Sequence, residues 1–336
     1  MLKKIAREII SFACVYSGMA MLIYLLKIRN QRNRYRILVY HRVNDQRHVD
    51  NPVAKSMSVR VAHFERQMKF LNKYFNVMSV DCLADVLEQK KPLPKRALAI
   101  TFDDGYRDNY MYAFPLLKKY QFPATIFLTT GMIGTQKGLW WDHLQQIISK
   151  SKPEIFWQFC ERTLNRKFNG SASNKYQRLI DHLKSVDSAS RDRFIKESRQ
   201  LFQCKKEDDE TPAEMLTPAE IKEMCVAGIS FGSHTVSHLI LSRASDERAK
   251  QELFKSKQDI EQMTSKEVRA FAYPNGGAND FNQRSIELLQ ECGYQFAFMN
   301  VKGVNKRTDD LFTVKRIGVY GTDSMASFIC RCVGIF

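Results

Sequence analysis

ALAITFDDGYRDNY, residues 97–110, carries the strongest indication of the fold class. Its first six residues are apolar or β-branched on both faces, which is typical of a strand buried in a parallel sheet. Asp103 and Asp104 end this strand, Gly105 permits a tight turn, and a helix is predicted to begin at Tyr106. A buried strand that leads through a turn into a helix is the repeating unit of α/β folds.

The adjacent carboxylates of Asp103 and Asp104 mark a candidate site. At the end of a buried strand such a pair is costly unless it meets a cation or a proton. An aspartate that caps the turn explains the pair equally well when the motif is taken alone. The rest of the chain therefore has to decide between a site and a turn.

Seven further segments have the character of buried strands. They cover residues 36–41, 75–80, 125–130, 229–234, 268–273, 296–301 and 313–319. Helical patterns lie between them, over 61–74, from a Thr217 cap to about 227, and from a Ser245 cap to 263. This alternation predicts an α/β fold, and the strand count favours a barrel of about seven to eight strands over an open sheet.

One region interrupts the alternation. Residues 140 to about 214 contain helical and polar sequence without a convincing strand, which predicts a helical insertion. The region opens with Trp140 and Trp141, whose flat faces suit the apolar C–H patches of a sugar ring. The ordinary alternative is that this pair anchors an inserted helix to the core.

Two more motifs end predicted strands. In SHTVSH, His234 and His238 are four residues apart, so one helical turn brings both imidazoles within reach of one metal ion. In FAYPNGG, the turn at Asn275 can aim backbone N–H groups at a developing oxyanion. Alone, the histidine pair is often incidental and the turn ordinary. Together with Asp103 and Asp104, they favour one aspartate and two histidines around an open metal position.

In this order the motifs resemble the polysaccharide deacetylase family, which carries the NodB homology domain. LVYHRV at 38–43 and PATIF at 123–127 resemble two further segments of that family. The resemblance covers roughly residues 36–135 and 215–320. It implies a distorted (β/α) barrel that hydrolyses an acyl amide on an amino sugar with one divalent metal, usually zinc.

The family pattern also implies roles for individual residues. Asp103 becomes the general base, and Asp104, His234 and His238 become the metal ligands. The backbone N–H of Asn275 would help the metal to stabilise the oxyanion.

The chain departs from the family pattern in two places. The family's arginine in F-R-P-P-Y-G is absent from FAYPNG, and Arg316, on another predicted strand, is the replacement that we expect to orient the base. No histidine follows His238, so the late histidine that supplies the general acid is also missing. His41, in LVYH, is our candidate for that acid, and a packed strand-end histidine is the alternative.

The N-terminus predicts a location. Residues 9–26 form an apolar run that would rise about 27 Å as a helix, close to the roughly 30 Å hydrocarbon core of a bilayer. We expect residues 1–35 to be a membrane-anchoring helix and basic linker, in front of a deacetylase domain over 36–336. A buried or interfacial helix is the alternative. Five basic residues after the run favour anionic lipid and a cytoplasmic catalytic domain at a bacterial inner membrane.

The net charge limits the partners. A formal charge of +16 attracts nucleic acid, anionic lipid or an acidic substrate. Because no nucleic-acid-binding signature accompanies this charge, we expect no nucleic-acid partner.

The sequence thus predicts a metal-dependent hydrolase that removes N-acetyl groups from amino sugars of a surface polysaccharide or its lipid-linked precursor. A deformylase or other amidase on a lipid-linked amino sugar would use the same chemistry. An inactive, membrane-tethered carbohydrate-binding module is the alternative from another class, and it would not need the aspartate and histidine set.

Overall fold

The structure, a computed structural model, describes residues 2–19, 33–45, 52–202 and 214–335. The strands are β1 (Arg34–Tyr40), β2 (Arg42–Val43), β3 (Ser58–Val59), β4 (Asn76–Val77), β5 (Ala97–Phe102), β6 (Thr125–Leu128), β7 (Ser230–Ser233), β8 (Ala270–Ala272), β9 (Phe296–Phe298), β10 (Asn305–Lys306) and β11 (Ile317–Gly318). The helices are α1 (Leu2–Tyr16), α2 (Pro52–Met57), α3 (Val61–Tyr74), α4 (Val80–Glu88), α5 (Phe114–Lys119), α6 (Trp140–Lys150), α7 (Pro153–Thr163), α8 (Ala172–Ser185), α9 (Ser188–Leu201), α10 (Pro218–Val226), α11 (Asp246–Thr264), α12 (Gln283–Glu291) and α13 (Met325–Val333).

The sheet is built around β5, whose six residues are all buried. β5 pairs in parallel with β1 on one side and with β6 on the other, and the parallel order continues through β7, β8 and β9. β10 adds to β1 in the antiparallel sense, and β4 pairs with the start of β5. Parallel pairing brings the carboxyl ends of these strands to one edge, where barrel enzymes carry their sites.

The segment that leads into β11 joins the two ends of this series. Val314 forms a parallel bridge with Phe298 of β9, and Ile317 pairs with Leu38 of β1. The sheet is therefore curled, and the predicted distorted (β/α) barrel is confirmed.

Every predicted strand segment overlaps an observed strand, although most observed strands are shorter and β1 begins two residues earlier than predicted. The short strands β2, β3 and β10 were not predicted, because each has only two residues, too few to show the alternation of a strand. Helix α3 has its predicted bounds. Thr217 and Ser245 cap α10 and α11 as predicted, each accepting a backbone N–H three residues on.

The predicted insertion contains the four helices α6 to α9. Their apolar faces form a core of their own, separate from the barrel core. This insertion core includes Leu144, Phe156, Leu179, Leu183 and Phe194. Residues 203–213 lie outside the described part of the chain. The bounds 36–336 for the deacetylase domain stay a prediction.

The helix after Gly105 begins later than predicted. Tyr106 instead forms an isolated bridge with Met215, and a π-helical turn over Asn109–Ala113 precedes α5. The Tyr106 hydroxyl donates to Asp142 over 2.9 Å, and the Arg42 guanidinium lies 4.4 Å from the centre of its ring. These contacts hold Tyr106 in the core and delay the helix.

The prediction of a membrane-anchoring helix over residues 9–26 is wrong. Within the described residues, no helix is long and apolar enough to cross a membrane. α1 begins seven residues before the apolar run, includes Lys3, Lys4, Arg7 and Glu8, and ends at Tyr16, so it measures about 22 Å. Residues 20–26 lie outside the described part. The inner-membrane location that rested on this helix is corrected with it.

A packing contact explains why α1 differs from the predicted span. Ser11 is fully buried, and its carbonyl accepts from the Cys330 thiol of α13 over 3.9 Å. The hydroxyl of Ser324, the cap of α13, also donates to Glu8. One side of α1 is thus packed on the protein, which the apolar run alone did not reveal.

Gly232 of β7 provides a test of the barrel packing. An added Cβ would lie 2.5 Å from Cε1 of Phe127 and 2.8 Å from the Ala270 carbonyl oxygen. Gly232→Ala should therefore lower the free energy of unfolding by about 1–3 kcal/mol, because the core must shift to accept a methyl group. Chemical denaturation measures this loss. Gly303→Ala is the control, since its new methyl group would meet only the flexible Lys315 side chain. Equal losses in the two variants would contradict the packing.

Candidate active site

The strand ends bring all of the predicted catalytic and metal-binding residues except Arg316 to one cavity of about 380 Å³. His41 follows β1, the two aspartates follow β5, the two histidines follow β7, and Asn275 follows β8. The lining set includes His41, Asp103, Asp104, Trp140, Trp141, His234, His238 and Asn275. Residues separated by more than 200 positions thus meet at one edge of the sheet.

Asp104, His234 and His238 form a buried cluster. One ligand atom from each lies within 4.8 Å of the others. The Nε2 atoms of His234 and His238 are 3.6 and 3.7 Å from Oδ1 of Asp104. Asp104 and His238 have φ values of +77° and +58°. Such left-handed backbone costs free energy in residues other than glycine and often accompanies functional sites.

The chemistry of this cluster fits a divalent metal. Both carboxylate oxygens of Asp104 are buried without a hydrogen-bond partner. Burial, reinforced by the nearby Asp103 carboxylate, raises the pKa of Asp104 well above its usual value. A cation between Asp104 and the two imidazoles would remove both costs.

The tautomer and protonation state of the two imidazoles suit metal binding. Nδ1 of His234 lies 2.7 Å from the Ala272 carbonyl oxygen, so that nitrogen carries the proton and Nε2 keeps its lone pair toward Asp104. Burial lowers the pKa of both His234 and His238, so each ring is neutral at pH 7. Neutral imidazole is the form that binds metals.

Asp103 has a different partner. Its two oxygens each accept a hydrogen bond of 2.7 Å from the guanidinium of Arg316. Burial alone would raise the pKa of Asp103, but Arg316 and His234 hold it below the usual value. Nε of Arg316 donates to the Met299 carbonyl oxygen over 3.2 Å. The structure therefore places Arg316 against Asp103, as expected for a residue that orients it.

His41 is half-buried in the cavity wall. Burial lowers its pKa to about 4 and the nearby charge of Arg316 acts in the same direction, although Asp103 acts in the opposite direction. Its backbone carbonyl accepts from Nδ2 of Asn109 over 2.9 Å, which fixes the end of β1. His41 is thus neutral at pH 7 and must take up a proton before it can donate one.

The turn at Asn275 is tight. Asn275 and Gly276 have φ values of +59° and +70°, and a Cβ on Gly276 would lie 2.6 Å from the Asn300 nitrogen. The Asn300 N–H donates to the Gly276 carbonyl over 2.7 Å. Asn275 and Asn300 both line the cavity, so the turn lies where an oxyanion donor would be needed.

The two tryptophans hold the insertion against the site. Nε1 of Trp141 donates to the Tyr106 hydroxyl over 2.8 Å, and the Trp141 ring contacts the His238 ring with 4.8 Å between centres. Trp140 is 8% exposed and belongs to the core of the insertion. The anchoring role is therefore present, while sugar contact stays a prediction.

Two groups of residues at the site were not predicted from the sequence. Gln177, Ile180 and Lys184 of α8 line the cavity at a spacing of one helical face. Glu252 of α11 accepts the backbone N–H groups of Val236 and Ser237 over 2.8 and 2.9 Å and so fixes the loop between the two histidines. In the sequence these residues look like ordinary helix positions, and only the fold brings them to the site.

Comparisons with known proteins agree with this geometry. A family model described as Polysaccharide deacetylase matches residues 90–297, more than half of the chain. The protein YxkH of Bacillus subtilis (strain 168) is 25% identical over 285 residues, which are 84% of this chain and 70% of that protein. The poly-β-1,6-N-acetyl-D-glucosamine N-deacetylase of Staphylococcus aureus (strain MRSA252) is 32% identical over 163 residues, 44% of this chain and 54% of the relative.

A solved structure shares the fold. The Streptococcus pyogenes deacetylase PplD in complex with acetate superposes with a TM-score of 0.59 at 20% identity, covering 88% of this chain and 96% of that one.

The metal-binding prediction can be tested without any substrate. Zinc should stabilise the protein against thermal unfolding, by about 2.7 kcal/mol at a free concentration one hundred times its Kd. His234→Ala, His238→Ala and Asp104→Ala should each weaken zinc binding by more than about 100-fold, since losing a ligand exceeds the effect of losing its supporting partner. Calorimetric titration measures the affinity. His182→Ala, on α8, is the control, and equal affinity in all four variants would contradict the site.

Proposed function

We propose that this chain, which belongs to the polysaccharide deacetylase family, removes acetyl groups from N-acetylated amino sugars within a polysaccharide. Family membership makes it a hydrolase of carbon–nitrogen bonds other than peptide bonds. The observation that carries the proposal is the partnerless Asp104 carboxylate, held beside two neutral imidazoles in the cavity that also contains Asp103.

Asp104, His234 and His238 are the proposed metal ligands, and one carboxylate oxygen with two imidazole nitrogens favours zinc. Bound there, the metal would act as a Lewis acid that polarises the acyl carbonyl.

Asp103 is the proposed general base. Arg316 keeps it ionised and fixes both of its oxygens, so its orientation is set before substrate arrives. It accepts a proton from the water that attacks the acyl carbon. The new carbon–oxygen bond forms as that proton leaves, and the Asn275 backbone N–H is proposed to donate to the oxygen that gains negative charge.

His41 is proposed to deliver a proton to the leaving nitrogen as the carbon–nitrogen bond breaks, so that acetate and a free amine result. Its low pKa makes it a strong acid once protonated. Because the resting ring is neutral, it has to receive this proton within the catalytic cycle, and the proton that Asp103 takes from the attacking water is the one that balances the step.

The alternative of an inactive carbohydrate-binding module fits the site poorly. A buried carboxylate without partners destabilises a fold, and sugar binding would not require one at this position. The amidase alternatives on a lipid-linked amino sugar share the chemistry and differ only in substrate. The Staphylococcus aureus relative makes β-1,6-linked N-acetylglucosamine oligomers the first substrate to test. Acetate release by the zinc-loaded protein would support the proposal, and none from any N-acetylated glycan would refute it.

Replacing His41 tests the proton donor. His41→Ala should lower kcat by about 10²–10⁴-fold, which is the usual contribution of a positioned acid, while zinc content stays unchanged. Acetate release and metal analysis give the two readouts. His63→Ala, on α3 and outside the cavity, should behave as the wild type. Full activity in His41→Ala would assign the proton to another group or to water.

Replacing Asp103 tests the base. Asp103→Asn should lower kcat at least as strongly as the His41 variant and keep its zinc, because Asp103 is not a proposed ligand. The change also leaves Arg316 buried without a carboxylate, so the free energy of unfolding should fall by about 3–5 kcal/mol. Denaturation separates that loss from the catalytic one. A variant that stays folded and active would exclude Asp103 as the base.

A further inference from the structure

We propose that a second cavity, next to the candidate active site, binds an oxyanion, a phosphate or a carboxylate carried by the same glycan. This inference rests on the proposed function and adds a charge requirement to its substrate. The cavity has a volume of about 600 Å³, and Trp140 forms part of the wall of both cavities. The two cavities therefore adjoin at Trp140, and the proposal is that a glycan with its amino sugar at Asp104 continues into the second cavity.

The second cavity is strongly cationic. Its lining includes five basic side chains and one carboxylate, that of Asp192; the basic residues are Lys137, Arg191, Lys196, Arg199 and Arg248. Arginine and lysine are the side chains that proteins use to recognise phosphate and carboxylate groups. Binding of a neutral glycan does not require five basic side chains around one cavity.

The cationic charge is only partly neutralised. Nη2 of Arg248 lies 2.6 Å from Glu252, a carboxylate that already accepts three hydrogen bonds from Val236 and Ser237. Across the ranges that the structure describes, no carboxylate forms an ion pair with Lys137 or Lys196. Both lysines are exposed at the cavity and available to a ligand.

Arg191 distinguishes this cavity from a solvated basic surface. It is 5% exposed, and its guanidinium lies over the Trp140 ring, 5.3 Å from the ring centre. Its ion-pair partner is Asp192 at 3.2 Å, whose side chain is 64% exposed. A buried guanidinium with so exposed a partner retains attraction for another anion.

The helical insertion supplies walls to both cavities. α8 contributes Gln177, Ile180 and Lys184 to the active-site cavity, and α9 contributes Arg191, Lys196 and other residues of one face to the second. The two helices share one core, so they hold the two cavities at a fixed separation. This gives the insertion a role in selecting substrates that carry an anion at a set distance from the amino sugar.

The test compares neutral and anionic glycans on the zinc-loaded enzyme. The probes are chitotetraose in its fully N-acetylated, neutral form, a hyaluronan tetrasaccharide, which carries carboxylates, and a phosphodiester-linked N-acetylhexosamine dimer. Calorimetric titration in low salt should show at least about tenfold tighter binding for one anionic probe than for chitotetraose, and the preference should shrink as salt is raised. The preferred probe identifies the oxyanion as carboxylate or phosphate.

A double variant, Lys137→Gln with Lys196→Gln, should remove most of that preference. Both side chains are exposed, so the fold should be retained, and thermal unfolding checks this. Arg193→Gln, on the helix that carries Lys196 but outside the cavity, removes one positive charge and should keep the preference. Equal affinity for all three probes, or a preference that the double variant keeps, would overturn the proposal.

Acetate release separates the two proposals. If chitotetraose or the β-1,6-linked oligomer releases acetate while affinity ignores charge, the second cavity has no such role and the deacetylase function stands. If the charge preference is present but no probe releases acetate, the proposed function fails and the oxyanion site remains.

Discussion

Two adjacent carboxylates buried at the end of β5 are the constraint on which this site depends. Asp103 and Asp104 cannot both remain charged in a low-dielectric interior without compensation. The fold compensates them differently. Arg316 forms a bidentate ion pair with Asp103. Asp104 instead faces two neutral imidazoles, and no group donates a hydrogen bond to it. Two neighbouring residues therefore have different properties: Asp103 is ionised and held in one orientation, whereas the carboxylate of Asp104 lacks the partner that a cation could provide.

The surrounding structure serves to hold this difference in place. Arg316 lies between Val314, which pairs with β9, and Ile317, which pairs with β1, so one short segment provides both the curling of the sheet and the ion pair at Asp103. On the other side, Tyr106 connects the turn after β5 to Trp141, and Trp141 packs against His238. The insertion is thereby fixed to the site that it partly encloses.

The N-terminal run shows where sequence reasoning has to fail. An apolar stretch has the same composition whether its partner is lipid or protein, and periodicity does not distinguish the two. The contacts of α1 with Ser324 and Cys330 involve residues more than 300 positions away. α1 also includes the four charged residues that precede the apolar run, since lysine, arginine and glutamate are compatible with a helix and do not end it.

Local patterns and motifs were enough to predict the approximate positions of the longer strands, the caps of α10 and α11, the barrel class and most of the residues at the candidate site. These follow from local periodicity and from motifs whose spacing reports local backbone geometry. Only the tertiary structure shows that Arg316 binds both oxygens of Asp103, that Asp104 has no hydrogen-bond partner, and that one face of α8 lines the cavity. Each of these depends on contacts between distant segments, and their energies are set by burial, which no local pattern specifies.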